Sequence, residues 1–73
     1  MEEVYKKIGK NVKKIRESKK ISQLELAEMI GHKSTTIIAQ GELGKKHFNI
    51  EHLYKISKAL KVSICAFFEN IED

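Results

Sequence analysis

The chain has few of the devices that stabilise a small protein from outside its core. It holds one cysteine, Cys65, so no internal disulfide can form, which fits a reducing, cytoplasmic compartment. Proline is absent and glycine numbers 4, which excludes collagen-like and low-complexity readings. No stretch approaches the roughly 18 consecutive apolar residues of a membrane span. The first residues lack the apolar core of a signal peptide. No spacing suggests a Gly-rich phosphate cradle, a Ser-His-Asp set or a paired-carboxylate site. His32, His47, His52 and Cys65 match no zinc-finger spacing. They read as surface histidines and a small, buried or half-buried thiol. No metal, no cofactor and no enzymatic activity are therefore expected.

What remains is a basic, helical sequence. Its 73 residues make one small domain, too short for a large enzyme pocket. A domain this size buries only about 60% of the surface its unfolded chain exposes, and oligomerisation is one usual remedy. Lysine and arginine number 14 against 10 acidic residues, a net charge of +4. No segment alternates like a half-buried strand, and there is no internal repeat.

Val4, Ile8, Val12 and Ile15 form an apolar stripe on a first helix, from about Val4 to Lys19. Glu2 and Glu3 before it, and Lys19 and Lys20 at its end, suit the helix dipole. The remaining lysines of this helix read as a solvated face. Ser22 followed by Glu25 is a capping box that opens a short second helix, and Gly31 supplies a left-handed stop. Ser34 caps a third helix, Thr35 to about Leu43. With Ile38 at zero and about 100° per residue, Gly41 and Ile37 fall inward, and Thr35, Thr36, Ala39 and Gln40 fall outward. That outward face carries no charge, which is unusual for a purely solvated helix. Gly44 to Phe48 reads as a loop. Asn49 caps a fourth helix, Ile50 to about Leu60, and Ser63 a short fifth, on which Ile64, Phe67, Phe68 and Ile71 share a face.

Two short helices around the turn at Gly31 have the organisation of a helix-turn-helix. The sequence here resembles the Cro/C1-type, or XRE, helix-turn-helix family. The matching residues are Ser22-Gln23-x-x-Leu26-Ala27-Glu28, Gly31, Ile38, Glu42-x-Gly44-Lys45, Ile50-Glu51-x-Leu53 and Lys58-Ala59-Leu60-x-Val62-Ser63. The resemblance spans about Ile8 to Phe68. It implies an all-α, five-helix, lambda-repressor-like domain over residues 1–73, with the helix-turn-helix at about 22–43 and packing and dimerisation helices at about 50–71. Two departures stand out. Members commonly place one fewer residue between Leu26 and Gly44. Seating the surplus in the turn puts Ile38 inward, whereas a register shifted by one puts Ile37 inward. Gly41 also stands where a large aliphatic residue is usual, and Ile37 is expected to cover the gap.

The resemblance assigns Gln23 to the DNA backbone, and the N–H groups at that helix start favour a phosphate. Thr35, Thr36 and Gln40, with Ser34, are candidates for base edges. Glutamine bonds adenine N6 and N7, and a threonine methyl meets that of thymine. Lys33, Lys45, Lys46 and Asn49 are candidates for phosphates. Arg16 is the single arginine and lies on the first helix, so the third helix cannot read guanine through arginine. The expected preference is for A/T-containing contacts or DNA shape. Phe67, Phe68 and Ile71 are dimer-interface candidates, because two adjacent phenylalanines do not both fit one small core. A Phe-Phe pair in this context is common among small stand-alone members, including restriction–modification controllers, which dimerise through their C-terminal helices. The expected function is sequence-specific binding to double-stranded DNA as a homodimer, with occlusion or recruitment of RNA polymerase. Two other readings stay open: an antitoxin that neutralises a protein partner and also binds DNA, and a non-specific binder of nucleic acid or anionic membrane through the basic first helix.

Overall fold

A computed structural model describes residues 2–71, and Glu2 is described by its backbone alone. The elements are α1 (Glu2–Ser18), α2 (Gln23–Met29), α3 (Thr36–Leu43), α4 (Ile50–Leu60) and a C-terminal 3-10 helix (Ile64–Phe68). No strand occurs among the described residues.

Each helix forms where its apolar stripe and caps agree. On α1, Val12 is wholly buried, Ile8 nearly so, and Val4 and Ile15 pack at the rim. α2 opens with the expected capping box. Ser22 Oγ accepts from Glu25 N at 3.0 Å, and the Glu25 carboxylate accepts from Ser22 N at 2.9 Å. Gly31 follows α2 at φ 88°, a conformation that side chains bearing a Cβ disfavour. α3 starts one residue later than the sequence suggests, and Ser34 Oγ accepts from Thr36 N at 3.1 Å. Asn49 caps α4 by accepting from His52 N at 2.7 Å.

The chain end differs from expectation. It winds as a 3-10 helix, in which residues three apart eclipse. Ile64 and Phe67 therefore share the inner face, and Phe67 is fully buried. Phe68 turns outward instead of sharing that face, and is 41% exposed. Cys65 also turns outward and is exposed, not the buried or half-buried thiol expected.

The core lies between α1, the helix pair α2–α3, and α4 with the 3-10 helix. Leu26, Ile38, Ile56, Leu60, Val12 and Phe67 are its largest fully buried side chains. α3 takes the register with Ile38 inward, and Ile37 is only half-buried. The gap at Gly41 is filled by Phe48 rather than Ile37, because the Phe48 ring occupies the space a Cβ at Gly41 would need. Phe48 is thus a core residue delivered by the loop after α3. On the other side of this crossing stands Gly9 of α1. A Cβ there would run into the backbone oxygens of Gly41 and Glu42. The two helices meet main chain against main chain.

Phe48→Ala would open a void against a residue with no side chain to relax into it. The expected cost is about 3–5 kcal/mol, a large share of the stability of a small domain. Urea denaturation of the variant checks this.

Candidate nucleic-acid interface

The three elements that would meet a duplex are joined below the surface by one polar cluster. Arg16 of α1 and Glu42 of α3 are both buried. Arg16 Nε donates to Glu42 Oε2 at 2.7 Å, and Nη2 donates to Oε1 at 3.1 Å. Arg16 Nη1 donates to the Ile21 carbonyl at 2.8 Å, in the connection to α2. Gln23, the first residue of α2, donates from Nε2 to Glu42 Oε1 at 3.0 Å. A buried ion is tolerated only when paired and fully hydrogen-bonded. No buried side-chain nitrogen or oxygen among the described residues lacks a partner. The bond to Glu42 raises the Arg16 pKa against the opposing effect of burial. The only arginine is thus a strut inside the domain. Gln23 has one amide N–H committed to Glu42, which leaves its second N–H and its oxygen for another partner.

This cluster fixes which face of α3 looks outward. Thr36 is exposed, and Thr35, Ala39 and Gln40 are half-buried. Leu43 is 59% exposed and extends the same outward row, an apolar position that sequence reasoning passed over. Ser34 is exposed, and its hydroxyl lies 2.8 Å from that of Thr36. Ser34, Thr36 and Gln40 line one side of a hollow of about 370 Å³, with Lys46 on its rim. Lys33, Lys45, Lys46 and Asn49 are all exposed. Asn49 spends its side-chain oxygen on the α4 cap, which leaves its amide N–H groups to donate. Among the described residues the ion pairs involve Arg16 and Lys55. The lysines around α3 therefore keep their charge unpaired there.

α1 adds a part that the sequence reading assigned to solvent. Lys6, Lys10 and Lys13 line a second hollow, of about 320 Å³, with Gln23, Ala39 and Leu43. Their spacing of four and three residues places them in one row along α1. Such a row is visible in the sequence, but its neighbour is not. Lys14 instead stands on the side of the C-terminal segment, lining a hollow with Ala66 and Glu69. Of the three residues expected at a dimer contact, Phe67 lies wholly inside the core, Ile71 packs half-buried against it, and Phe68 offers surface.

The chain belongs to the helix-turn-helix family of DNA-binding domains. The family, described as helix-turn-helix, matches residues 12–67, the Cro/C1-type pattern the motifs resemble. Among solved structures, the fold is similar to that of the restriction–modification controller protein C.AhdI from Aeromonas hydrophila. The TM-score is 0.82 at 23% identity, covering 88% of this chain and 96% of that one. A search of curated proteins finds no match. No helix among the described residues is long and apolar enough to cross a membrane.

Glu42→Gln should leave Arg16 as a buried cation without its counter-charge. The expected loss is about 3–5 kcal/mol, read by denaturant titration. Arg16→Met combined with Glu42→Leu should recover much of that stability, because removing both charges leaves none to desolvate alone.

Proposed function

We propose that this protein binds double-stranded DNA in a sequence-specific way as a homodimer and regulates transcription. The observation that carries the reading is the outward face of α3. It is a row of small, uncharged and amide side chains held at fixed height by the Arg16–Glu42–Gln23 cluster and flanked by exposed lysines. A helix set into the major groove needs such a face for bases and such flanks for phosphates.

In this reading α3 enters the major groove. Thr35, Thr36 and Gln40, with Ser34 at the helix mouth, meet base edges. Gln23, Lys33, Lys45, Lys46 and Asn49 hold the backbone on either side, and Lys6, Lys10 and Lys13 extend that hold along α1. Two copies related by a two-fold axis would recognise a pseudo-palindrome with half-sites roughly one helical turn apart. Phe68 is the exposed aromatic available to the contact between copies. Bound at its operator, the protein would occlude or recruit RNA polymerase. The likeness in fold to a restriction–modification controller supports a role of that kind. An antitoxin that pairs with a toxin is the alternative, and a second chain that co-purifies with the protein would favour it.

Selection from a random duplex pool, followed by sedimentation of the enriched complex, tests the reading. A pseudo-palindrome bound by two chains is expected. A folded protein that enriches no sequence would overturn it.

The roles of single residues separate by salt. Gln40→Ala should weaken binding to the selected site by about 1–3 kcal/mol and leave non-specific binding nearly unchanged. Lys46→Ala should weaken binding to all duplexes and reduce the slope of log K against log salt by about 0.9. Titrations at three salt concentrations measure both.

A further inference from the structure

α3 stands as a ridge between two hollows of unlike chemistry. On one side Ser34, Thr36 and Gln40 present hydroxyl and amide groups. On the other side Ala39 and Leu43 line the hollow of about 320 Å³, and neither has a side-chain hydrogen-bonding group. Leu43 is exposed, a large apolar side chain left in solvent on a face otherwise made of small and amide groups. Across the hollow lie Lys6, Lys10 and Lys13 of α1, all exposed, with Gln23 of α2 beside them.

The backbone holds these two walls together. Gly9 meets the main chain of Gly41 and Glu42 where α1 crosses α3. Gly44 ends α3 at φ 77°, and a Cβ there would run into the stem of Lys6. Lys6 is thus laid against the end of α3, next in the chain to Leu43. Glu42 also lines the hollow, but its carboxylate is already matched by Arg16 and Gln23. The hollow therefore sets an apolar wall against a cationic one. In the major groove the base edges carry donors, acceptors and one apolar group, the methyl group of thymine. That methyl stands at the side of the groove, toward the phosphates of its own strand. An apolar wall facing a row of lysines complements this pair of groups. Any other base edge would leave a donor or acceptor unpaired against Ala39 and Leu43.

We propose that Ala39 and Leu43 are specificity-determining residues, which read the methyl group of a thymine whose own strand is held by Lys6, Lys10 and Lys13. The inference rests on the DNA-binding reading and deepens it. It names a base group that α3 selects and the side chains that select it, apart from the hydroxyl and amide groups on the other side of the ridge. Leu43 follows Thr36 by seven residues, which is about 10 Å of helix or roughly three base steps. The thymine therefore lies toward the end of the half-site away from the base that Thr36 meets.

The test uses the full chain, its selected duplex, and copies in which each thymine in turn is replaced by deoxyuridine. That exchange removes the methyl and keeps every hydrogen-bonding group of the base. At a thymine in each half-site the native protein should bind about fourfold more weakly after the exchange. Bromodeoxyuridine at the same position, which refills the space of the methyl, should restore binding. The A39S/L43S variant should bind the thymine and deoxyuridine duplexes alike at that position, and a melting curve confirms that it is folded. L43S alone, changed at an exposed position, should remove most of the difference. K10A should weaken binding to both duplexes and lower the salt slope by about 0.9, while the preference for thymine stays. Three results would overturn the proposal and leave the DNA-binding reading intact: native binding indifferent to the exchange at every thymine, a selected site without thymine, or a preference unchanged in A39S/L43S, which would assign it to Thr35 or Thr36. A folded native protein that selects no sequence would overturn both.

Discussion

The structure depends on a charge that could not stand alone. Glu42 is buried at the heart of α3, and its carboxylate is tolerable only because Arg16, from α1, meets it with two hydrogen bonds. The same guanidinium holds the Ile21 carbonyl, and the same carboxylate holds Gln23. One ion pair therefore ties α1, the entry to α2, and α3 into a single body. Apolar contacts in place of such buried pairs are often as stable. What the ion pair adds is direction, since a bidentate contact fixes rotation as well as distance. The exposed row of α3 and the start of α2 are held in mutual register from beneath.

Much of this was legible in the chain, and the reasons for the rest are specific. Helix limits could be read because caps are local. Ser22 with Glu25, Asn49, and the glycine at position 31 each act on backbone within a turn or so. Partners distant in sequence were not legible. Arg16 reads as one more cation in a basic helix until Glu42, 26 positions away, is brought to it. Phe48 reads as a loop residue because its partner is the missing side chain of Gly41, and absence leaves no periodic signal.

At the candidate site the pattern is similar. The outward face of α3 follows from arithmetic on one helix, and the structure keeps Ile38 inward as that arithmetic has it. The lysines of α1 needed a neighbour before they could mean anything. Lys6, Lys10 and Lys13 become notable only because α1 runs beside α3, with Ala39 and Leu43 across the gap. The end of the chain misled for a different reason. A helical period of 3.6 groups Ile64 and Phe67 with Phe68 and Ile71, whereas the observed 3-10 period keeps Phe67 with Ile64 and turns Phe68 and Cys65 away.

The crossing of α1 and α3 at Gly9 and Gly41 has a consequence for how such a domain can change over time. Where helices are spaced by side chains, each substitution at the contact shifts the reading helix slightly. Here the spacing is set by backbone against backbone, with Phe48 wedged alongside. The depth to which α3 projects is then nearly independent of the side chains around it. New residues can appear along the outward row without altering the pose in which they are presented. In the proposed function, recognition can drift among targets while the docking geometry is inherited unchanged.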